Sequence, residues 1–353
     1  MKVLDRYVAA TVVSGTGVAL LVVVGMDVFF SVISQIDEVG KGGYTLYTML
    51  QYVALITPQG AYELFPMAAL LGSLVGMGML AANSELVAMR AAGISVWRIV
   101  QSVLQAGALL LVVAVFIGEV VAPAAEQHGQ QLRASATNKR VSFLGSHGLW
   151  VRDEQSYINA GKVLADDTLA ELEVYRFDGS GRLAMATRAA RARYVSGAWV
   201  LNDVYQSAFV NGRVEIDHLD KVAWPSLLTP ELLGIVVQKP KNMSAMDIKQ
   251  FVGYLDENGL DSIEYRYAFW GRFMTPLATL VMLFISVPFV FGGLRSVAAG
   301  QRIFVGILVG FGFYLVSQIC SQLGQVYNLN PVFAMLTPII LFTGIGLRAM
   351  RRL

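Results

Sequence analysis

The sequence predicts an α-helical membrane protein with six transmembrane helices and an inserted all-β, jelly-roll-like domain between the third and the fourth. Three observations lead there. Uncharged apolar runs of bilayer-spanning length sit on both sides of the chain's middle. The middle holds most of the charge. Within it, apolar and polar residues alternate with period two. Of the 353 residues, 55% are hydrophobic and 15% charged, whereas soluble domains carry about 25% charged residues. The same figures exclude a disordered chain, which needs low hydrophobicity and high charge.

The apolar runs come first. Residues 7–26, 64–84, 99–118, 273–294 and 303–347 carry no charged side chain. A helix needs about 20 mostly apolar residues to cross a bilayer. The last run is long enough for two crossings, with a turn near Asn328-Leu329-Asn330-Pro331. Residues 42–62 are also uncharged but contain Gln51, Gln59 and Pro58; they are read as a short outer helix over 44–57, stopped near Pro58. Basic residues favour the cytoplasm. Lys2 and Arg6 precede the first span, Arg90 and Arg98 follow the second, Arg295 and Arg302 follow the fourth, and Arg348, Arg351 and Arg352 follow the last. Six spans place all of them on one side, with both termini cytoplasmic and the insert outside.

The insert comes next. Residues 123–268 hold 16 Lys/Arg and 18 Asp/Glu. Glu171 and Glu173 alternate with Leu172 and Val174; Arg213, Glu215 and Asp217 alternate with Val214, Ile216 and His218. Such alternation marks half-buried strands. Further strands are predicted at 148–152, 155–160, 182–187, 190–196 and 198–210, with a hairpin turn at Asp178-Gly179-Ser180-Gly181. Many short strands at close spacing suggest a sandwich or jelly roll. Ser244 with Asp247 predicts a capped helix that Gly259 ends, and Trp270 with Arg272 reads as an interfacial pair. The chain divides into 1–135, 136–240 and 241–353.

Chemistry-bearing motifs are few. His128, His147 and His218 lack metal-ligand spacing, and Gly40-Lys41-Gly42 is not a nucleotide-binding P-loop. The single Cys320 makes no internal disulfide. A net charge of +2 gives no basic excess for nucleic acid. Glu63 is placed in water at the outer end of the second span, while Asp27 is open between a proton-relay role and helix pairing. Gly72, Gly76 and Gly78 line the second span, where packing within the chain is expected. Gly306, Gly310 and Gly312 line the fifth, where a separable seam between subunits is an alternative. Residues 83–93 read as a short helix capped by Ser84 or Asn83, with Glu85 at its positive end and Gly93 at its stop. Its faces fit equally a helix lying on lipid and a coupling helix docked on a soluble partner.

These residues resemble the lipopolysaccharide export permeases of the LptF/LptG family. The matching motifs are Met1-Lys-Val-Leu-Asp-Arg-Tyr7, Phe65-Pro-Met-Ala-Ala-Leu-Leu-Gly72, Gly78-Met-Leu-Ala with Ser84-Glu-Leu-Val, Gly118-Glu119 with Val121-Ala-Pro123, and Phe291-Gly292 with Leu294-Arg295-Ser296. The likeness covers essentially the whole chain, and its N-terminal and 65–87 parts lie nearer the LptG side of the family. It implies a non-enzymatic permease subunit in the bacterial inner membrane, with its β domain in the periplasm. An LptF-like permease subunit would pair with it, an LptB-like ATPase dimer would use ATP and Mg, and LptC and LptA jelly-roll proteins would receive lipopolysaccharide. This chain itself would bind no cofactor.

The resemblance makes 83–93 the coupling helix, with Ser84, Glu85, Leu86, Val87, Met89 and Arg90 as the contact set. It matches Arg133 to a basic position near the lipid cavity. Lys41 follows Asp37-Glu38, where the family often has basic residues. Within that scheme Phe29, Phe30, Leu70, Phe304 and Phe311 would line the cavity, and Gly306, Gly310 and Gly312 a lateral gate. The readings from other classes are a membrane scaffold and a lipid-modifying enzyme.

Overall fold

The computed structural model describes residues 3–41, 43–136, 149–153, 156–163, 168–179, 181–195, 198–210, 213–224, 240, 243–257, 259–292 and 299–352. The chain forms two compact units. One comprises Met1–Asp37, Met49–Gly129 and Ile263–Leu353; the other comprises Glu38–Thr48 and Gln130–Ser262. The expectations for Lys139, Arg140 and 294–296 fall outside the described residues.

Among the described residues, six helices are long and apolar enough to cross a membrane. The first is α1 (Val3–Gln35) and the second α2 (Leu46–Ala82). After the short α3 (Glu85–Ala91), the third is one continuous rod. It joins α4 (Val96–Phe116), a π-turn (Ile117–Val121) and α5 (Ala122–Ala136). Past the strands and α6 (Ala245–Glu257), the last three are α7 (Ile263–Phe291), α8 (Ala299–Val326) and α9 (Pro331–Met350).

One expectation is corrected. No separate helix stops near Pro58; α2 runs through Pro58 and Pro66. A proline in a helix withholds one N–H, but a span tolerates this where side chains re-satisfy the turn. In the same turn the Thr57 hydroxyl donates to the Val53 carbonyl at 2.7 Å. At about 1.5 Å per residue the 37 residues of α2 reach about 55 Å, well beyond a hydrocarbon core of about 30 Å.

Glycines set the helix crossings. A Cβ on Gly72 would collide with the backbone of Gly15 and Thr16, and one on Gly76 would lie 2.8 Å from the Thr11 carbonyl oxygen. Backbone-to-backbone approach of this kind is what small residues permit between spans. The expected packing within the chain therefore holds for α2. Asp27 also belongs to this pairing, since its carboxylate lies against Gly60. A buried hydrogen bond of 2.6 Å joins Ser73 to Ser286 between α2 and α7. Asn330 caps α9 by accepting from the Val332 N–H at 3.0 Å, with Pro331 in the first turn.

The second unit is all-β as expected, apart from α6 and short flanking segments. Its described strands are β1 (Leu149–Asp153), β2 (Ser156–Val163), β3 (Thr168–Phe177), β4 (Leu183–Val195), β5 (Ala198–Val210) and β6 (Arg213–Trp224). They pair antiparallel in sequential order. The predicted strands 182–187 and 190–196 are one strand, β4. Its alternation is broken because the inward residues Ala189 and Ala192 are three apart. The same offset separates Leu169 from Leu172 on β3 and Leu201 from Val204 on β5. Between them Glu171 and Asp203 have φ of 56° and 54°. One left-handed residue interrupts the pleat, so the inward set shifts by one position on either side. Gly161 lies opposite Glu171 in the register, and a Cβ there would meet the Glu171 side chain at 2.9 Å. The turn at 178–181 closes the β3–β4 hairpin, with Gly181 at φ 77°. Ser244 caps α6 as expected, accepting from the Asp247 N–H at 3.2 Å and donating to the Asp247 carboxylate at 2.7 Å.

Gly72→Ala should lower the thermal unfolding midpoint of the protein in detergent, with a cost of about 1–3 kcal/mol for overpacking. Gly17→Ala, whose added carbon meets nothing within 4 Å, should leave the midpoint unchanged or slightly raised.

Candidate functional site

The helix α3 is seven residues long and amphipathic, and its anchoring is visible residue by residue. Leu86 and Met89, 3% and 9% exposed, join the apolar cluster that contains Val8 of α1 and Val96 and Ile99 of α4. Val87 is 41% exposed and Arg90 is exposed. Glu85 is half-buried, and its carboxylate stands beside the Tyr7 hydroxyl of α1. The start of the helix differs from expectation. Ser84 has φ 61° and ψ 10°, and its side chain makes no capping hydrogen bond. The tight link from α2 forces this residue left-handed and turns its hydroxyl away from the helix N–H groups. The end is as expected: Gly93 has φ 84°, and the N–H groups of Gly93 and Ile94 reach the Arg90 and Met89 carbonyls at 3.0 and 3.1 Å.

The first turn of α1 is tied to α4 beside this helix. Arg98 Nε and the Ser102 hydroxyl both reach Asp5 Oδ1, at 3.4 and 3.1 Å. Asp5 also stands at the N-terminus of α1, where a negative charge favours the helix dipole. Thus α1 is bonded to α4 through Asp5 and stands beside α3 at Tyr7. Sequence reasoning missed both links. The signal was the placement of Asp5 and Tyr7 in the first turns of a span that is otherwise nearly uncharged.

A second cluster lies deeper in the same unit. Arg272 of α7 is buried, with 4% of its side chain exposed. Its Nη1 donates to the Gly118 carbonyl at 2.8 Å, its Nε lies 3.7 Å from Glu119 Oε1, and its guanidinium sits 5.5 Å from the Tyr62 ring centroid. The Tyr62 hydroxyl donates to the Arg272 carbonyl at 3.0 Å. This corrects the reading of Arg272 as an interfacial anchor. Two prolines explain the geometry. In the π-turn the Ala122 N–H bonds the Ile117 carbonyl, and residue 123, next in line for Gly118, is a proline without an N–H. Pro276 stands four residues after Arg272 inside α7, so the Arg272 carbonyl also lacks its helical donor. Each orphaned carbonyl receives a side chain from another helix. Gly118 carries no side chain because a Cβ there would collide with the Tyr62 ring.

The remaining expected site residues are dispersed. Lys41 is exposed and pairs with Glu38 at 3.4 Å, while Arg133 is half-buried on α5. Phe29, Phe30 and Phe304 are exposed on α1 and α8, and Phe311 borders a cleft between helices. Leu70 is wholly buried in the helical core, so it lines no open space. A Cβ on Gly306 would lie 2.8 Å from Leu71 and Leu74, and one on Gly310 3.1 Å from Met67. These two glycines therefore pack on α2 within the chain, and Gly312 faces open space.

Such an architecture, six apolar helices with an antiparallel β insert and a rooted interhelical helix, defines a polytopic permease-like membrane protein. The chain belongs to the LptF/LptG family of lipopolysaccharide export system permeases, matched over residues 6–352. It is 33% identical over 345 residues to the lipopolysaccharide export system permease protein LptG of Haemophilus influenzae, covering 97% of this chain and 96% of that protein. It is also 33% identical over 354 residues to LptG of Escherichia coli K12, covering 99% and 98%. Membership makes it a transport subunit for lipopolysaccharide export rather than a catalytic enzyme.

Tyr62→Phe should cost about 1–3 kcal/mol, the penalty for a buried acceptor left without its donor. Pro276→Ala restores an N–H for the Arg272 carbonyl, so the same substitution should cost less in that background. Thermal unfolding of the four proteins of this double-mutant cycle in detergent measures the difference.

Proposed function

We propose that this chain is one transmembrane half of an ATP-driven exporter of lipopolysaccharide in a bacterial inner membrane. Both termini and α3 face the cytoplasm, where the basic residues gather, and the β insert is periplasmic. An LptF-like subunit completes the membrane part. An LptB-like ATPase dimer docks on α3 and uses ATP and Mg, and LptC and LptA carry the lipid onward.

The observation that carries this reading is the way α3 is rooted. A helix lying loosely on lipid needs no tertiary anchors, whereas α3 sinks Leu86 and Met89 into the core and sets Glu85 beside Tyr7. A push on its outer face, presented by Val87 and Arg90, is thereby delivered to α1 and α4 as a rigid-body shift. Ser84 contributes through the backbone turn and not as a cap. Lipid tails gain little from an apolar cavity, since the bilayer is already an apolar solvent. Cationic contacts from Arg133 and Lys41 to phosphate groups therefore supply selectivity, and ATP-driven closure supplies the work of expulsion. Gly306, Gly310 and Gly312 lie on α8, which with α1 forms the lateral gate towards the partner subunit.

Reconstituted complex tests this directly. Arg90→Glu should reduce ATP-dependent lipopolysaccharide release by about tenfold or more, about 1.4 kcal/mol, with the unfolding midpoint unchanged. Tyr7→Phe should leave ATP hydrolysis in place while lowering lipid released per ATP. Full release by Arg90→Glu and Glu85→Lys, with normal assembly, would overturn the coupling role of α3.

A further inference from the structure

After Glu264 the chain contains no Asp or Glu, although it contains seven arginines. Three of them, Arg348, Arg351 and Arg352, gather at the C-terminal end of α9, and all three are exposed. None of the three takes part in a salt bridge among the described residues. The helices packed against α9 are α7 and α8. The second has no carboxylate, and the only one in α7 is Glu264 in its first turn. The counter-charge for this end of α9 is therefore not supplied by its neighbours in the fold.

The arginines stand on the side of α9 turned away from the bundle. Phe342, Gly346 and Met350 are buried on successive turns, and a Cβ on Gly346 would lie 2.7 Å from the Phe284 ring of α7. At about 100° per residue, Arg348 lies about 200° around the helix from Gly346, with Arg351 and Arg352 flanking it at about 140° and about 240°. The backbone is ordered to this end: the N–H groups of Arg351 and Arg352 bond the carbonyls of Leu347 and Ala349 at 3.1 and 3.2 Å.

Towards the middle of the helix the same side is apolar. Ile340, Leu341 and Ile345 are 66%, 48% and 47% exposed. Leu341, Ile345, Arg348 and Arg352 follow one another at the spacing of a single helix face. From Leu341 to Arg352 is about 16 Å at about 1.5 Å per residue, about half of a hydrocarbon core about 30 Å thick. One leaflet's lipid thus fits along this face, with its tails on the aliphatic residues and its head at the arginines. Arginines that only fix orientation or complement the helix dipole need no particular lipid. Three clustered guanidiniums without a carboxylate do discriminate. A phosphate accepts their paired, charge-assisted hydrogen bonds. A net anionic head group leaves its phosphate wholly to them, whereas an ammonium-bearing one brings a like charge to the same spot.

We propose that the C-terminal end of α9 is a binding site for one anionic phospholipid, its phosphate held by Arg348, Arg351 and Arg352 and its acyl chains laid on Leu341 and Ile345. In the orientation proposed above, the site lies in the cytoplasmic leaflet. The binding itself needs only that α9 crosses a bilayer, so it stands or falls separately from the ATP-driven transport reading.

The test uses the full-length protein, delipidated in a non-ionic detergent and offered equal amounts of dioleoyl-phosphatidylglycerol and dioleoyl-phosphatidylethanolamine. Native mass spectrometry should find phosphatidylglycerol retained in preference by about tenfold, equivalent to about 1.4 kcal/mol. Arg348→Gln, Arg351→Gln and Arg352→Gln made together should bring the two lipids close to parity, with the lipid-free unfolding midpoint unchanged. A charge-matched control replaces the exposed Arg188, Arg191 and Arg193 of β4 by glutamine and should keep the preference. Equal retention of both lipids by the unsubstituted protein, an unchanged preference without the α9 arginines, or an equal loss in the β4 control would overturn the proposal.

Discussion

Inside a bilayer no water is at hand to bond a stray carbonyl, so every backbone polar group in a span must find its partner within the protein. Two prolines break that rule locally here, and the repair organises the centre of the helical unit. Pro123 follows Gly118 at the position where the widened turn needs a donor, and Pro276 follows Arg272 at the ordinary helical spacing. Arg272 and Tyr62 exchange roles across the gap: one gives its guanidinium to Gly118, the other its hydroxyl to Arg272. The result fastens α2, the α4–α5 rod and α7 at one level. The charge on Arg272 is balanced by Glu119, and the π-turn is the geometry that brings Gly118 and Glu119 to it together. A buried arginine is costly in isolation, but here it hydrogen-bonds a carbonyl and lies within ion-pair range of a carboxylate.

From this centre the order spreads by close helix contact. The Gly15–Gly72 crossing lets α1 lie with its backbone against α2, and Asp27 reaches Gly60 further along. The opposite end of α1 is held by hydrogen bonds from Arg98 and Ser102 of α4 to Asp5, with Tyr7 beside Glu85 of α3. Packing needs no fixed polar partner and tolerates small shifts; the hydrogen-bonded end transmits them. A helix joined in these two ways is suited to pass displacement from a short surface helix into the bundle, which gives the proposed coupling its physical route.

Much of this was legible in the sequence because it depends on composition and period. The spans followed from runs of uncharged residues, the insert from alternation, the cap of α6 from Ser244, and the turn before α9 from Asn328-Leu329-Asn330-Pro331. What escaped depended on pairs distant in sequence. Glu119 directly follows one uncharged run and Arg272 directly precedes another, so each looked like the edge of a span, and only the fold brings them together. The prolines were equally visible, but Pro58 was read as a helix stop where α2 continues through it. In the sheet the break in alternation at Ala189 and Ala192 suggested two strands. Its cause, left-handed residues on neighbouring strands β3 and β5, has no local composition signal, since neither Glu171 nor Asp203 is a glycine.

Burial separates the helices into a fixed pair and movable neighbours. In α2 and α7, 67% of the spanning window is buried, against 6% in α1 and 11% in α8. A gate is therefore more readily made from α1 and α8 than from the central pair. The glycines of α8 do not form the outward seam that their line first suggested, because Gly306 and Gly310 receive side chains of α2. The exposed side of α8 instead carries Phe304, Ile307 and Leu308. On the side that meets α2, Gly306 lies against Leu71 and Leu74, while Val305, Val309, Phe313 and Val316 of α8 pack on the same helical core. The proposed gate would therefore keep that side of α8 seated and present its exposed side to lipid or a second subunit.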